Sequence, residues 1–223
     1  MIKIVNLNKI FYKNTNKEFY SLKDINLEIK KGSCTVLKGV SGSGKSTLLS
    51  IISTMQKPTS GEVYYKDELI SKFPDIHSSN FRAKNIGFIF QFFNLFNEFN
   101  VRDNVSIPLI PLGFSQKEID IKVESALKLA NIYHKKDELI FNLSGGEKQR
   151  CAIARALVNE GELILCDEPT ASLDYDNSQN FINIIKNFKD LGKTIIIASH
   201  DPIFFNQNFV DLEIELKNGT IHE

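Results

Sequence analysis

The sequence predicts an α/β fold: a core on a parallel sheet, an antiparallel β subdomain near the N-terminus, and an inserted α-helical subdomain. Three observations carry that prediction. Leu163–Cys166 and Thr194–Ala198 are unbroken apolar runs, as strands buried on both faces of a parallel sheet are. Between them Phe181, Ile184, Ile185 and Phe188 recur at helical spacing, which completes a β–α–β unit. At the other end, Ile2–Val5 and Ile25–Ile29 alternate apolar with polar, the pattern of half-buried antiparallel strands.

The remaining elements follow in order. Lys31-Gly32 turns the chain into a short apolar strand, Cys34–Lys38, which runs directly into the glycine-rich Gly39–Thr47. Leu48, Ile51, Ile52 and Met55 then lie on one helix face, stopped by Pro58–Gly61 before a return to strand over Glu62–Tyr65. From about Gln91 to Ala156 the pattern is helical, as in Ile119, Val123, Ala126, Leu127 and Ala130. Leu212–Leu216 and Ile221 flank Asn218-Gly219, a strong hairpin signal. The expected division is 1–90 with 157–223 as core and β subdomain, and 91–156 as helical subdomain.

Composition excludes several functions. Lysine plus arginine equal aspartate plus glutamate at 27 each, so no electrostatic footprint for nucleic acid exists and none is expected as partner. The apolar runs fall far short of the roughly 20 residues that a spanning helix needs. Cys34, Cys151 and Cys166 show no paired spacing, which suits buried thiols in a reducing compartment.

Two motifs carry chemistry. Gly39-Val40-Ser41-Gly42-Ser43-Gly44-Lys45-Ser46 fits G-x-x-x-x-G-K-[ST] and sits between a predicted strand and helix. There the backbone N–H groups curl around phosphate oxygens, Lys45 reaches the terminal phosphates, Ser46 suits Mg²⁺, and the helix from Thr47 onward presents its positive end. Asp167-Glu168 ends a buried strand, at the sheet edge where ligands bind. Asp167 suits the Mg²⁺ shell and Glu168 the polarisation of an attacking water. A third stretch, Ser144-Gly145-Gly146-Glu147, opens a helix whose buried face is Cys151, Ala154, Leu157 and Val158, a second anion-ready N-terminus.

With these residues the chain resembles the ATP-binding-cassette (ABC) ATPases over nearly its full length. Leu143–Glu147 is similar to their signature, Gln91 to the Q-loop, Ala171–Asp174 to the D-loop and His200 to the switch histidine. The resemblance implies ATP with Mg²⁺, the metal held by Ser46, Asp167 and Gln91. It implies Glu168, Gln91 and His200 in catalysis, and Ser144, Gly145, Gly146 and Glu147 acting on the ATP of a second subunit, with Asp174 at the join. It also implies an N-terminal aromatic on the adenine: Phe11 is favoured, with Tyr12 and Tyr20 as alternatives.

Phe90-Gln91-Phe92-Phe93-Asn94-Leu95 followed by Asn104–Leu109 resembles the branch that powers lipoprotein release, macrolide or peptide export and the cell-division cassette. It implies a homodimer of ATPase subunits on integral membrane partners, peripheral on the cytoplasmic face of the cell membrane. Asn97-Glu98-Phe99 stands where members often carry proline. The alternative is a soluble cassette that never powers transport, an assembly scaffold or cell-division regulator. Phe88, Phe90, Phe92, Phe93, Phe96 and Phe99 are either core or a groove for a membrane partner, and exposure of Phe93, Phe96 or Phe99 would favour the groove.

Overall fold

The computed structural model describes residues 1–222; the final residue of the expected core segment lies outside them. In chain order the strands are β1 (Ile2–Phe11), β2 (Phe19–Ile29), β3 (Cys34–Lys38), β4 (Ser60–Tyr65), β5 (Glu68–Leu69), β6 (Ile86–Ile89), β7 (Leu163–Asp167), β8 (Thr194–Ser199), β9 (Leu212–Lys217) and β10 (Thr220–His222). The α-helices are α1 (Lys45–Ile52), α2 (Asp75–Asn85), α3 (Val101–Ser106), α4 (Gln116–Leu129), α5 (Gly145–Leu157) and α6 (Tyr175–Asp190).

Two sheets result. The antiparallel one runs β2-β1-β4-β5, and the larger runs β10-β9-β3-β8-β7-β6 with β9 through β6 parallel. Strand alternation explains the unbroken apolar runs. Cys34, Val36, Ile164, Cys166, Ile195 and Ile197 face one core, shared with α5, α6 and the helical segment. Leu37, Leu163, Leu165, Ile196 and Ala198 face the other, shared with α1 and the antiparallel sheet. A sheet covered on both faces has no polar side to show.

The structure differs from the sequence reading in four places. The helix after the cradle ends at Ile52, Thr54 is left-handed (φ 58°), and Met55 is exposed rather than on the buried face. Helix α2, unread in the sequence, buries only Ser78 and Phe81, too few positions to mark a period. The stretch from Gln91 to Asn100 is irregular, and α5 runs to Leu157, one residue past the expected boundary.

Parallel register brings one set of strand ends together. Lys38 pairs with Ser199, Asp167 with Ala198, and Ile89 with Cys166. The segments leaving β3, β6, β7 and β8 therefore emerge at one carboxyl edge, where ligands bind in open α/β sheets.

Candidate active site

At that edge a cleft of about 310 Å³ is lined by Ser41 through Thr47 together with Phe11, Phe19, Ser21, Gln91, Glu168 and His200. Most of the sequence-predicted residues thus meet in one place. Each arrives for a local reason. Gly44 is left-handed (φ 109°), and a Cβ there would stand 2.5 Å from the Ser21 carbonyl oxygen, so only glycine lets the loop pass. Helix α1 begins at the next residue, with its free N–H groups facing the loop. Gly39 and Val40 do not line the cleft; their carbonyls accept the Lys45 ammonium at 2.6 and 3.2 Å. Lys45 itself is buried.

The carboxylates divide their tasks. Ser46 Oγ donates to Asp167 Oδ1 at 2.8 Å, joining the cradle to the end of β7. Burial raises the Asp167 carboxyl above its ordinary value; the Ser46 bond opposes this, the Glu168 charge adds to it and Lys45 opposes it. These two oxygen donors fit Mg²⁺, which takes few protein ligands and fills its shell with water and phosphate oxygens. Among the described residues no cluster of three or more His, Cys, Asp or Glu could hold a metal. Glu168 is left-handed (φ 44°) and buried, with Oε1 3.2 Å from Lys45 Nζ and Oε2 3.0 Å from His200 Nδ1. A carboxylate only accepts, so Nδ1 carries the His200 ring proton in that contact.

The aromatic rim adds to the sequence reading. Phe11 lines the cleft, but Tyr12 and Tyr20 do not. Instead Phe19, opposite Phe11 in the β1–β2 ladder, stacks on it with centroids 5.4 Å apart and planes at 20°. Alternation along β2 puts Phe19 and Ser21 on the cleft side and Tyr20 on the other. Ser21 Oγ then donates to Thr47 Oγ1 at 2.8 Å. Phe19 and Ser21 were missed because the signal is the strand register, which is not written in local sequence.

The signature residues stand elsewhere: none of Ser144, Gly145, Gly146 and Glu147 lines this cleft. Ser144 caps α5 in a capping box, its amide and hydroxyl both donating to Glu147 Oε2 at 2.8 Å. Those bonds hold the Glu147 carboxyl below its usual value, the backbone contact first. A Cβ on Gly146 would come 2.5 Å from Asn177 Oδ1, whereas one on Gly145 meets only the Ser172 carbonyl at 3.9 Å. Ser144 and Gly145 are exposed. Asp174, also exposed, caps α6 by accepting from the Asn177 amide at 2.8 Å. Two contacts tie α5 to the cleft: Gln149 Nε2 donates to Pro169 O at 2.7 Å, and the Arg155 guanidinium donates to the carbonyls of Phe93 and Asn94 beyond Gln91.

The six phenylalanines split between the two expectations. Phe88 and Phe90 stack at 4.2 Å and are half-buried, as is Phe93. Phe92, Phe96 and Phe99 are exposed, Phe96 against Phe99 at 5.5 Å, and Phe141 is exposed as well. No helix among the described residues is long and apolar enough to cross a membrane.

Comparison with known proteins agrees with this geometry. The ABC transporter family profile matches residues 22–171, more than half of the chain. The lipoprotein-releasing system ATP-binding protein LolD of Buchnera aphidicola (subsp. Acyrthosiphon pisum) is 38% identical over 96% of this chain and 94% of that protein. The macrolide export ATP-binding/permease protein MacB of Campylobacter fetus is 42% identical over 99% of this chain, which spans 34% of that protein. The methionine import ATP-binding protein MetN of Vibrio cholerae is 40% identical over 90% of this chain, which spans 58% of that protein. Among solved structures, the dimeric post-hydrolysis state of the cassette MJ0796 with ADP and Pi superposes with a TM-score of 0.90 at 36% identity, covering 100% of this chain and 97% of that one. A phosphate cradle, a metal-suited Ser–Asp pair and a buried carboxylate on one sheet edge are what such a cassette needs to cleave ATP, and the chain belongs to the ABC transporter family as an ATP-hydrolysing subunit.

Proposed function

We propose that two copies of this cassette close on two ATP molecules and drive a membrane partner that exports or extracts a lipoprotein, peptide or macrolide-type cargo. The observation that carries hydrolysis is Glu168, with Oε1 3.2 Å from the phosphate lysine and Oε2 on His200. In each site the loop from Ser41 to Thr47 holds the phosphates, and Glu168 takes the proton of the attacking water. Ser46 and Asp167, with Gln91 nearby, would hold Mg²⁺, which when bound neutralises charge on the terminal phosphates. His200 contacts the γ-phosphate. The base lies on the Phe11–Phe19 pair, since stacking on aromatic rings needs no particular base.

The dimer follows from the geometry of α5. Ser144 and Gly145 open a helix toward solvent, away from this chain's own cradle, so the anion they suit belongs to a second copy, with Asp174 at the join. The MJ0796 structure is dimeric, which supports this reading. Segment 91–156 is the subdomain that carries the signature, and the Gln149 and Arg155 contacts couple its position to the cleft.

The exposed Phe92, Phe96 and Phe99 favour the groove; we assign it to a cytoplasmic helix of the membrane subunit, and with it propose the cytoplasmic face for the cassette. LolD and MacB release or export, whereas MetN imports; the Phe90–Leu95 stretch favours the first two. The non-transport alternative has no support among these relatives. Glu168→Gln tests the core of the proposal: ATP binding is retained and turnover falls by about 10²- to 10⁴-fold. Normal turnover would remove Glu168 as the base.

A further inference from the structure

The two oxygens of Glu168 have different surroundings. Among the described residues Oε1 has one charged or hydrogen-bonding partner, Lys45 Nζ at 3.2 Å. Oε2 is met by three groups: His200 Nδ1 at 3.0 Å, Ser199 Oγ at 3.2 Å and the His200 amide at 3.3 Å. Ser199 is the last residue of β8 and fully buried. Its hydroxyl oxygen also accepts the Asp201 amide at 3.0 Å. A hydroxyl has one proton and a carboxylate only accepts, so the Ser199 proton points at Oε2.

Asp201 is fixed in turn. Its Oδ2 accepts from Thr170 Oγ1 at 2.7 Å, and its Oδ1 accepts from the Ile203 amide at 3.0 Å. Thr170 is buried in the loop that follows Glu168. The turn after β8 is thereby tied to the loop after β7, and Ser199 stands at the junction with its one donor committed to the base.

We propose that Ser199 is a positioning residue for ATP hydrolysis: its hydroxyl clamps Oε2 so that Oε1 is the oxygen that receives the water proton. The inference rests on Glu168 as the base. In the step it serves, the water oxygen bonds to Pγ, the bond from Pγ to the β–γ bridging oxygen breaks with its electron pair leaving on ADP, and the water proton goes to Oε1. Ser199 touches none of the reacting atoms. It sets the direction of the one that accepts, and small misplacement of such a group is costly in rate.

Ser199→Val and Ser199→Thr test this, because the two differ by a methyl in place of the hydroxyl at nearly equal volume. Measured on the full chain with saturating ATP, kcat of the threonine variant exceeds that of the valine variant roughly 10- to 100-fold, with KM for ATP within about threefold. In a Glu168→Gln background the same exchange changes the residual rate less than about twofold, since both residues act through one group. Equal kcat for the two variants overturns the proposal, and so does an equal ratio with and without Glu168. If Ser199→Val does not fold, Ser199→Ala removes the hydroxyl without added volume and takes its place. Unchanged turnover in Glu168→Gln alone would instead sink the base assignment, so the two failures are distinguishable.

Discussion

The chain contains two glycine-rich helix starts, and they are built to opposite ends. Around Gly39–Ser46 the chain closes on itself: Lys45 is buried against two loop carbonyls and Glu168, Ser46 is bonded to Asp167, and Gly44 threads past Ser21. Around Ser144–Glu147 only the back is packed, where Gly146 lies on Asn177, while Ser144 and Gly145 open to solvent. The first is a site completed within the chain. The second is left open, and under the proposed function the difference teaches that hydrolysis draws on a second copy.

The largest expected effects separate the two. Lys45→Ala removes the buried ammonium of the closed site and weakens ATP binding by about two orders of magnitude, the scale of a lost charge-assisted contact; binding by titration calorimetry checks it. Gly145→Asp places a carboxylate on the open helix start, where the helix dipole tolerates or favours it. Thermal stability and ATP binding by the monomer then stay near the parent values, while hydrolysis falls by about 10²-fold. If Gly145→Asp lowered ATP affinity in the monomer, the two starts would share one site and the comparison would break.

A third experiment concerns the rim of the closed site. Phe19→Ala costs about 1–3 kcal/mol of ATP binding, the worth of one stacked base, and leaves inorganic tripolyphosphate binding unchanged. Equal losses for both ligands would make Phe19 a packing residue. The smallest effect sits in the core between the regions. Burial pushes the Cys34 and Cys151 thiols up to about 12 and Cys166 well above its ordinary value. All three therefore resist alkylation at pH 8 in the folded chain and react on unfolding, as mass spectrometry would show. The sign for stability follows. The unfolded chain ionises its thiols first, so this contribution is whole below pH 9 and declines as pH rises from about 9 toward about 12.

What could be read in the sequence was contiguous. The cradle, Asp167-Glu168 and the signature are each a single run whose chemistry is set by spacing, and β3, β7 and β8 announce themselves as apolar because both faces are covered. What could not be read depends on pairing across the fold. Phe19 enters the cleft only through its register with Phe11, and Tyr20, its neighbour, is turned away by strand alternation. Ser199 looks like the end of an apolar strand until β7 and β8 lie side by side. Glu147 reads as part of an anion site, yet its carboxylate is spent on the cap of its own helix. Helix α2 left no trace, since an exposed helix burying two side chains has no period to detect.

The most direct measurement of the central claim is the solution mass of Glu168→Gln with and without ATP, by light scattering. The closed cradle and the open signature start together predict a monomer without nucleotide, a dimer with ATP, and a monomer again when Gly145→Asp is added. A Glu168→Gln chain that binds ATP stoichiometrically and remains monomeric, while the parent chain hydrolyses ATP at a rate strictly linear in dilute protein, would contradict it.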